Sequence, residues 1–126
     1  MMDMFLTFFL LFIGCSSVSD VRQNPSTSYS TDPEKILIVY LSRTNNTKAI
    51  AEIIYKNVGG TLVALELEKP YPENYQAIVQ QVVNENETDY LPPLKTKIDL
   101  QKYDIVFIGF PTWGMQLPPP IKSFLM

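Results

Sequence analysis

Three short apolar runs and two amphipathic segments alternate along the chain after residue 35. The runs Ile36–Leu41, Thr61–Leu67 and Asp104–Phe110 have the length and the β-branched content of strands. Between the first two runs, apolar residues recur at helical spacing, at Ile50, Ile53, Ile54 and Val58. The order strand, helix, strand with short connections predicts a right-handed βαβ unit with parallel strands.

The later segments extend the same pattern. Residues Glu73–Glu87 carry a second apolar helical face, and the polar stretch Asp89–Lys102 reads as a loop. The third run is almost continuously apolar, which is typical of a strand covered on both faces. Three prolines then precede Ile121–Met126, which we expect to begin another helix. The predicted fold class is α/β, with a parallel sheet of three strands and helices on both of its faces.

The local signals also predict where the first helix begins and ends. Thr47 or Asn46 is expected to be the N-cap, because both can accept hydrogen bonds from first-turn amides. The pair Gly59–Gly60 is expected to stop the helix.

The N-terminal region has a different character. The apolar run Met4–Ile13 is too short to span a bilayer and has the length of a signal-peptide core. It is followed by Gly14 and Cys15, a pair that resembles a bacterial lipoprotein processing and lipidation site. We therefore expect a signal peptide over residues 1–15, a lipid on Cys15, a flexible polar linker over residues 16–34 and a folded domain over residues 35–126.

These features predict a membrane-anchored, extracytoplasmic protein. A misassigned start codon, with an apolar tail that is not a signal, is the alternative and would place the protein in the cytoplasm.

The composition excludes several kinds of catalytic and binding site. The chain has no histidine and one cysteine, so histidine-based catalysis and an intrachain disulfide are both excluded. Its net charge of −3 argues against a nucleic-acid surface. No spacing of carboxylates suggests a catalytic pair or a metal site. We expect Tyr71, Tyr75, Tyr90 and Tyr103 to be packing residues rather than ligand contacts.

Two loops carry the candidate chemistry, and each follows a strand. The first loop, Ser42-Arg43-Thr44-Asn45-Asn46-Thr47, brings hydroxyls and backbone N–H groups to a helix N-terminus, which is a favourable place for a phosphate. The second loop, Pro111-Thr112-Trp113-Gly114, offers an indole face to a planar ring. The alternatives are an ordinary capped turn for the first loop and local core packing for Trp113. Arg43 either neutralises phosphate charge or points to solvent.

In these residues the chain resembles the flavodoxin family, over Ile36–Leu125. The resemblance implies that FMN binds through its phosphate at Ser42–Thr47 and through its ring at Pro111–Gly114. It also implies further strands, so we expect a domain that is truncated at its C-terminus. Asn45 stands where the family has glycine. We expect it to take a left-handed conformation, which asparagine tolerates well, although its side chain would then lie near the phosphate.

Three functions follow from the resemblance. The first is an FMN-binding electron carrier whose redox partner is unknown. The second is an FMN-dependent NAD(P)H or quinone oxidoreductase. The third is a non-functional fragment that binds FMN weakly or not at all, because an unpaired third strand leaves apolar surface uncovered.

Overall fold

The computed structural model describes residues 31–126. The predicted signal peptide, Cys15 and most of the predicted linker lie outside the described residues. The described chain forms three strands and three α-helices, in the order β1 (Ile36–Tyr40), α1 (Asn46–Val58), β2 (Thr61–Ala64), α2 (Tyr75–Glu87), β3 (Ile105–Gly109) and α3 (Pro119–Leu125). Two short 3-10 helices, Pro33–Lys35 and Leu100–Lys102, precede β1 and β3.

The strands form one parallel sheet in the order β2-β1-β3. Tyr40, at the end of β1, is level with Ala64 of β2 and with Gly109 of β3. The three strands therefore end at the same edge of the sheet. This arrangement confirms the predicted α/β fold class and the parallel βαβ unit.

Helices cover both faces of the sheet, as predicted. Alternate residues of β1 point to opposite sides of the sheet, so this strand contributes to a core on each side. Ile36 and Ile38 pack with Ala51 of α1 on one side. Leu37 and Val39 belong to the larger core on the other side, which includes residues of α2 and α3. β1 is buried on both faces and is the centre of the fold.

The C-terminal end of α1 agrees with the local signals. Gly59 ends α1 with a φ of 71° and donates its N–H to the carbonyl of Tyr55. α2 begins at Tyr75, two residues later than predicted, because the Asn74 side chain caps it by accepting a hydrogen bond from the Ala77 N–H at 3.0 Å.

The predicted end of β2 was wrong in detail. β2 ends at Ala64 rather than at Leu67, because residues after Leu65 leave β1: the Glu66 carbonyl accepts from the Lys95 N–H at 2.9 Å, and Leu67 bridges Leu94. β3 packs on both faces, as expected: Val106 and Ile108 pack against the larger core on one side, and Phe107 packs against the cluster around Ala51 on the other. It lies at one edge of the sheet described for residues 31–126, and its first residue, Ile105, is 38% exposed.

Candidate functional site

The first predicted loop leaves the buried centre of the sheet. Leu41 extends the β1 ladder by donating its N–H to the Gly109 carbonyl at 2.8 Å, and Ser42 follows directly. The Ser42 hydroxyl accepts a long hydrogen bond, 3.4 Å, from the Lys48 N–H in the first turn of α1. The loop and the tip of α1 are therefore fixed to the carboxyl end of β1.

Asn45, rather than Thr47 or Asn46, is the N-cap of α1. It has φ 63° and ψ 2°, the left-handed conformation expected for the residue that replaces glycine. This backbone turns the chain so that Asn46 already lies in the helix, which is why the predicted caps are wrong. The Asn45 side chain makes no capping hydrogen bond, so the first-turn amides have no acceptor from the cap residue.

The second predicted loop begins at the end of β3 and makes a tight turn. Trp113 and Gln116 face each other across this turn, and the Gln116 N–H donates to the Trp113 carbonyl at 3.2 Å. The two central residues, Gly114 and Met115, both have positive φ, 60° and 59°. Paired positive φ values are the signature of a type I′ turn. Met115 is 97% exposed at its tip.

The two loops meet in one cleft at the carboxyl edge of the sheet, with a volume of about 280 Å³. All predicted site residues except Asn45 and Gly114 line it; the lining is Ser42, Arg43, Thr44, Asn46, Thr47, Tyr75, Pro111, Thr112 and Trp113. Gly109 allows the loops to approach, because a β-carbon on it would lie 3.0 Å from the Thr47 methyl group. The convergence of the two loops is thus as expected, and their roles in binding stay predictions.

Trp113 is more enclosed than the expectation of an open indole face requires. Its exposed fraction is 5%, and the Tyr71 ring meets it in an edge-to-face arrangement, with centroids 5.5 Å apart and planes at 85°. The alternative, local core packing, describes Trp113 in this structure. The cause is the segment after β2, which carries Tyr71 back over the sheet edge.

A second, larger cavity of about 460 Å³ adjoins the cleft and shares Ser42, Arg43 and Trp113 with it. Arg43 is exposed, and its role toward a phosphate stays a prediction. Its guanidinium lies 5.4 Å from the centre of the Tyr75 ring and donates to the Glu73 carbonyl at 3.4 Å. The side chain is thereby held at the boundary between the two cavities, against the start of α2.

Three residues near the loops were not predicted as functional. Tyr75 lines the cleft and is half exposed, although it was assigned to packing. Tyr71, correctly assigned to packing, donates its hydroxyl to the carboxylate of Glu85. Burial raises the pKa of Tyr71 well above its usual range, and the hydrogen bond and charge of Glu85, with a smaller contribution from Tyr90, raise it further.

Glu85 is the charged residue that the core encloses within residues 31–126, at 6% exposure. The sequence contains a signal for it. Glu85 follows Ile78 and Val82 at helical spacing, so it falls on the apolar face of α2. A carboxylate on a core-facing stripe is rare without a partner.

Residues 31–126 contain no helix with the length and apolarity needed to cross a membrane. Within the same range, no three histidine, cysteine or acidic side chains are grouped as metal ligands would be.

Comparison with known proteins gives consistent matches. A family model described as flavodoxin matches residues 35–126. The NAD(P)H dehydrogenase (quinone) of Cupriavidus metallidurans is 26% identical over 91 residues, which are 72% of this chain and 45% of that protein. This chain therefore spans about half the length of that curated relative.

Two crystal structures are also similar. A flavoprotein from Lactobacillus acidophilus in complex with FMN superposes with a TM-score of 0.66 and 26% identity, over 73% of this chain and 64% of that one. A candidate flavoprotein from Bacteroides eggerthii gives a TM-score of 0.62 and 32% identity, over 72% of this chain and 60% of that one.

Proposed function

The chain belongs to the flavodoxin family, and from this premise we propose that it binds FMN and acts in electron transfer. The observation that carries the proposal is the shared cleft: loops that follow two neighbouring strands line one cavity at the carboxyl edge of a parallel sheet. Ligands of open α/β sheets bind at this edge. When bound, FMN would supply the redox chemistry, and the protein would supply binding and orientation.

The phosphate end of the proposed ligand would lie at the first loop. Ser42, Thr44 and Thr47 line the cleft at the N-terminus of α1, where the side chain of the N-cap residue accepts no hydrogen bond from the first-turn amides. Hydroxyl donors and first-turn amides suit a dianionic phosphate, and the helix dipole adds a favourable field. Arg43 contributes positive charge at the boundary of the cleft.

The ring end would lie against the second loop. Pro111, Thr112 and Trp113 form the opposite wall of the cleft. Because Tyr71 covers the indole, we expect ring contact to use the exposed margin of Trp113 and the loop backbone.

Titration of the full-length chain with FMN tests the proposal, with flavin fluorescence as the readout. Thr47→Ala is expected to weaken FMN binding about tenfold, the effect of one hydrogen bond to a charged group, and to leave riboflavin binding unchanged. Thr61→Ala, at the far end of β2, is the matched control. A folded chain that fails to quench micromolar FMN would refute the proposal, and equal binding of FMN and riboflavin would refute the phosphate assignment.

An FMN-dependent NAD(P)H or quinone oxidoreductase is the second candidate. The similarity to the Cupriavidus quinone dehydrogenase favours it, although that similarity covers 45% of the relative. Steady-state oxidation of NAD(P)H by a quinone, with FMN present, separates an enzyme from a carrier. A non-functional fragment would show neither turnover nor tight FMN binding.

The location proposed for the protein is the extracytoplasmic face of a membrane, through a lipid on Cys15. The apolar run Met4–Ile13 followed by Gly14–Cys15 supports this assignment. Metabolic labelling with a palmitate analogue, compared between the native chain and Cys15→Ser, tests it. Equal labelling of both proteins would contradict the lipid anchor.

A further inference from the structure

Glu85 occupies a position where an apolar residue would satisfy the core. Its carboxylate is buried, and both oxygens are engaged: Oε2 accepts from the Tyr71 hydroxyl, and Oε1 accepts from Gln81 Nε2 at 2.8 Å. Removing a carboxylate from water is costly, and an apolar residue of similar volume at such a site is often equally stabilising or more so. We therefore expect this carboxylate to have a role other than stabilising the core.

Tyr71, which is hydrogen-bonded to Glu85, also contacts the second loop. Tyr71 has its hydroxyl on Glu85 and its ring against the Trp113 indole, at 5.5 Å between centroids. The pKa of Tyr71 is raised, so its hydroxyl keeps the donating proton throughout the neutral and mildly alkaline range. Glu85 thus fixes the Tyr71 ring, and the ring fixes one end of the loop.

Asn86, the next residue of α2, holds the chain just after the turn, at Gln116 and Leu117. Asn86 donates its Nδ2 group to Gln116 Oε1 at 2.7 Å and to the Leu117 carbonyl at 3.3 Å. Its Oδ1 accepts from Lys122 Nζ at 2.6 Å, which orients the amide.

Between these two attachments, the turn itself lies close to α2. A β-carbon on Gly114 would lie 3.5 Å from methyl groups of Val79 and Val83. The segment Trp113–Leu117 is therefore attached to α2 at its start and its end, and rests on the helix in the middle.

We propose that Glu85 and Asn86 are positioning residues that hold the segment Trp113–Leu117 in the geometry required for ring binding. Neither residue lines the cleft; Glu85 acts through Tyr71, and Asn86 acts through Gln116 and Leu117. The inference rests on the proposed FMN site, and it assigns the geometry of the second loop to α2.

The sole tryptophan of the chain makes the loop observable without any flavin. Trp113 is almost fully enclosed, so acrylamide should quench its fluorescence weakly in the native protein. In full-length Glu85→Leu, which removes the acceptor of Tyr71, we expect the quenching constant of Trp113 to rise at least twofold. FMN and riboflavin should both bind about tenfold more weakly, because the loop contacts the ring and not the phosphate.

Two further variants separate positioning from general damage. Glu85→Gln keeps an oxygen that accepts from Tyr71 and should restore both readouts to within about twofold of the native values. Glu87→Gln, on the exposed side of the same helix, is the matched control and should change neither. Asn86→Ala should raise Trp113 quenching and weaken the binding of both flavins less than Glu85→Leu does, since the contact between Tyr71 and Trp113 remains.

The outcomes are distinct. Unchanged Trp113 quenching and flavin affinity in folded Glu85→Leu would overturn the positioning role. If that variant does not fold, Tyr71→Phe decides the question, because it removes only the hydroxyl and should reproduce the increase in quenching. Failure of the native chain to bind FMN would overturn the proposed function and the ring-binding role, and the acrylamide measurement would still report whether Glu85 holds the loop.

Discussion

Asn45 gives the most direct test of the first loop, because a single torsion angle determines the expected effect. The residue has φ 63° and makes no capping hydrogen bond through its side chain. Asn45→Ala therefore removes no capping interaction and leaves only the conformational cost. Alanine in the left-handed region is disfavoured by about 1–2 kcal/mol, and asparagine is disfavoured less. We expect Asn45→Ala to lower the free energy of unfolding by about 1 kcal/mol, a fall in Tm of roughly 4–8 °C for a domain of this size.

The comparison with glycine completes the test. Asn45→Gly accepts the same torsion without strain, but the more flexible unfolded chain offsets part of the gain. Its stability should therefore lie within about 0.5 kcal/mol of the native value. The control is Asn84→Ala in α2, where alanine has the higher helix propensity and the expected change has the opposite sign.

Urea denaturation followed by circular dichroism measures all four proteins, and the slope of the transition should stay constant. If Asn45→Ala were as stable as the native chain, position 45 would not be left-handed and the derived shape of the loop would be wrong. FMN titration of Asn45→Gly adds a second result. Tighter binding than native would show that the asparagine side chain crowds the phosphate, and equal binding would show that it does not.

Three other predictions follow from the core and its titration. Gly60→Ala should lower the free energy of unfolding by more than about 2 kcal/mol in urea, because its β-carbon would lie 2.6 Å from the Ile36 carbonyl oxygen at φ 99°. Leu37→Ala, fully buried in β1, should cost about 2–5 kcal/mol by the same measurement, whereas Ile50→Ala, 59% exposed, should cost under about 1 kcal/mol. Because the pKa of Tyr71 is raised in the folded protein, the unfolded chain loses this proton first as the pH rises, and the free energy of unfolding should fall above about pH 10. The free energy of unfolding of Tyr71→Phe should fall less steeply over the same range. Equal slopes of stability against pH in the two proteins would contradict this link.

The fold and the place of the cleft could be predicted from sequence because both depend on local patterns. Each apolar strand run, each helical spacing and the Gly59–Gly60 helix stop depends on residues that are close together in the sequence. Parallel strands then bring their carboxyl ends to one edge, so two loops far apart in sequence were expected to meet there.

What sequence reasoning missed depends on contacts between distant segments. The enclosure of Trp113 results from the path of residues after β2, which leave β1 to pair with the segment around Lys95. No local pattern fixes that path. The wrong N-cap has a different cause, since Asn45 and Asn46 are chemically identical and only the backbone torsion distinguishes their positions.

The spacing between the two loops is set by main-chain hydrogen bonds, because both loops leave the ladder that joins β1 to β3 at the pair Tyr40 and Gly109. Side chains in the loops can change without altering this ladder. Ligand preference in this domain could therefore diverge while the separation of the two walls stays constant, and a library randomised at Thr44 and Thr112 should yield folded proteins with altered binding.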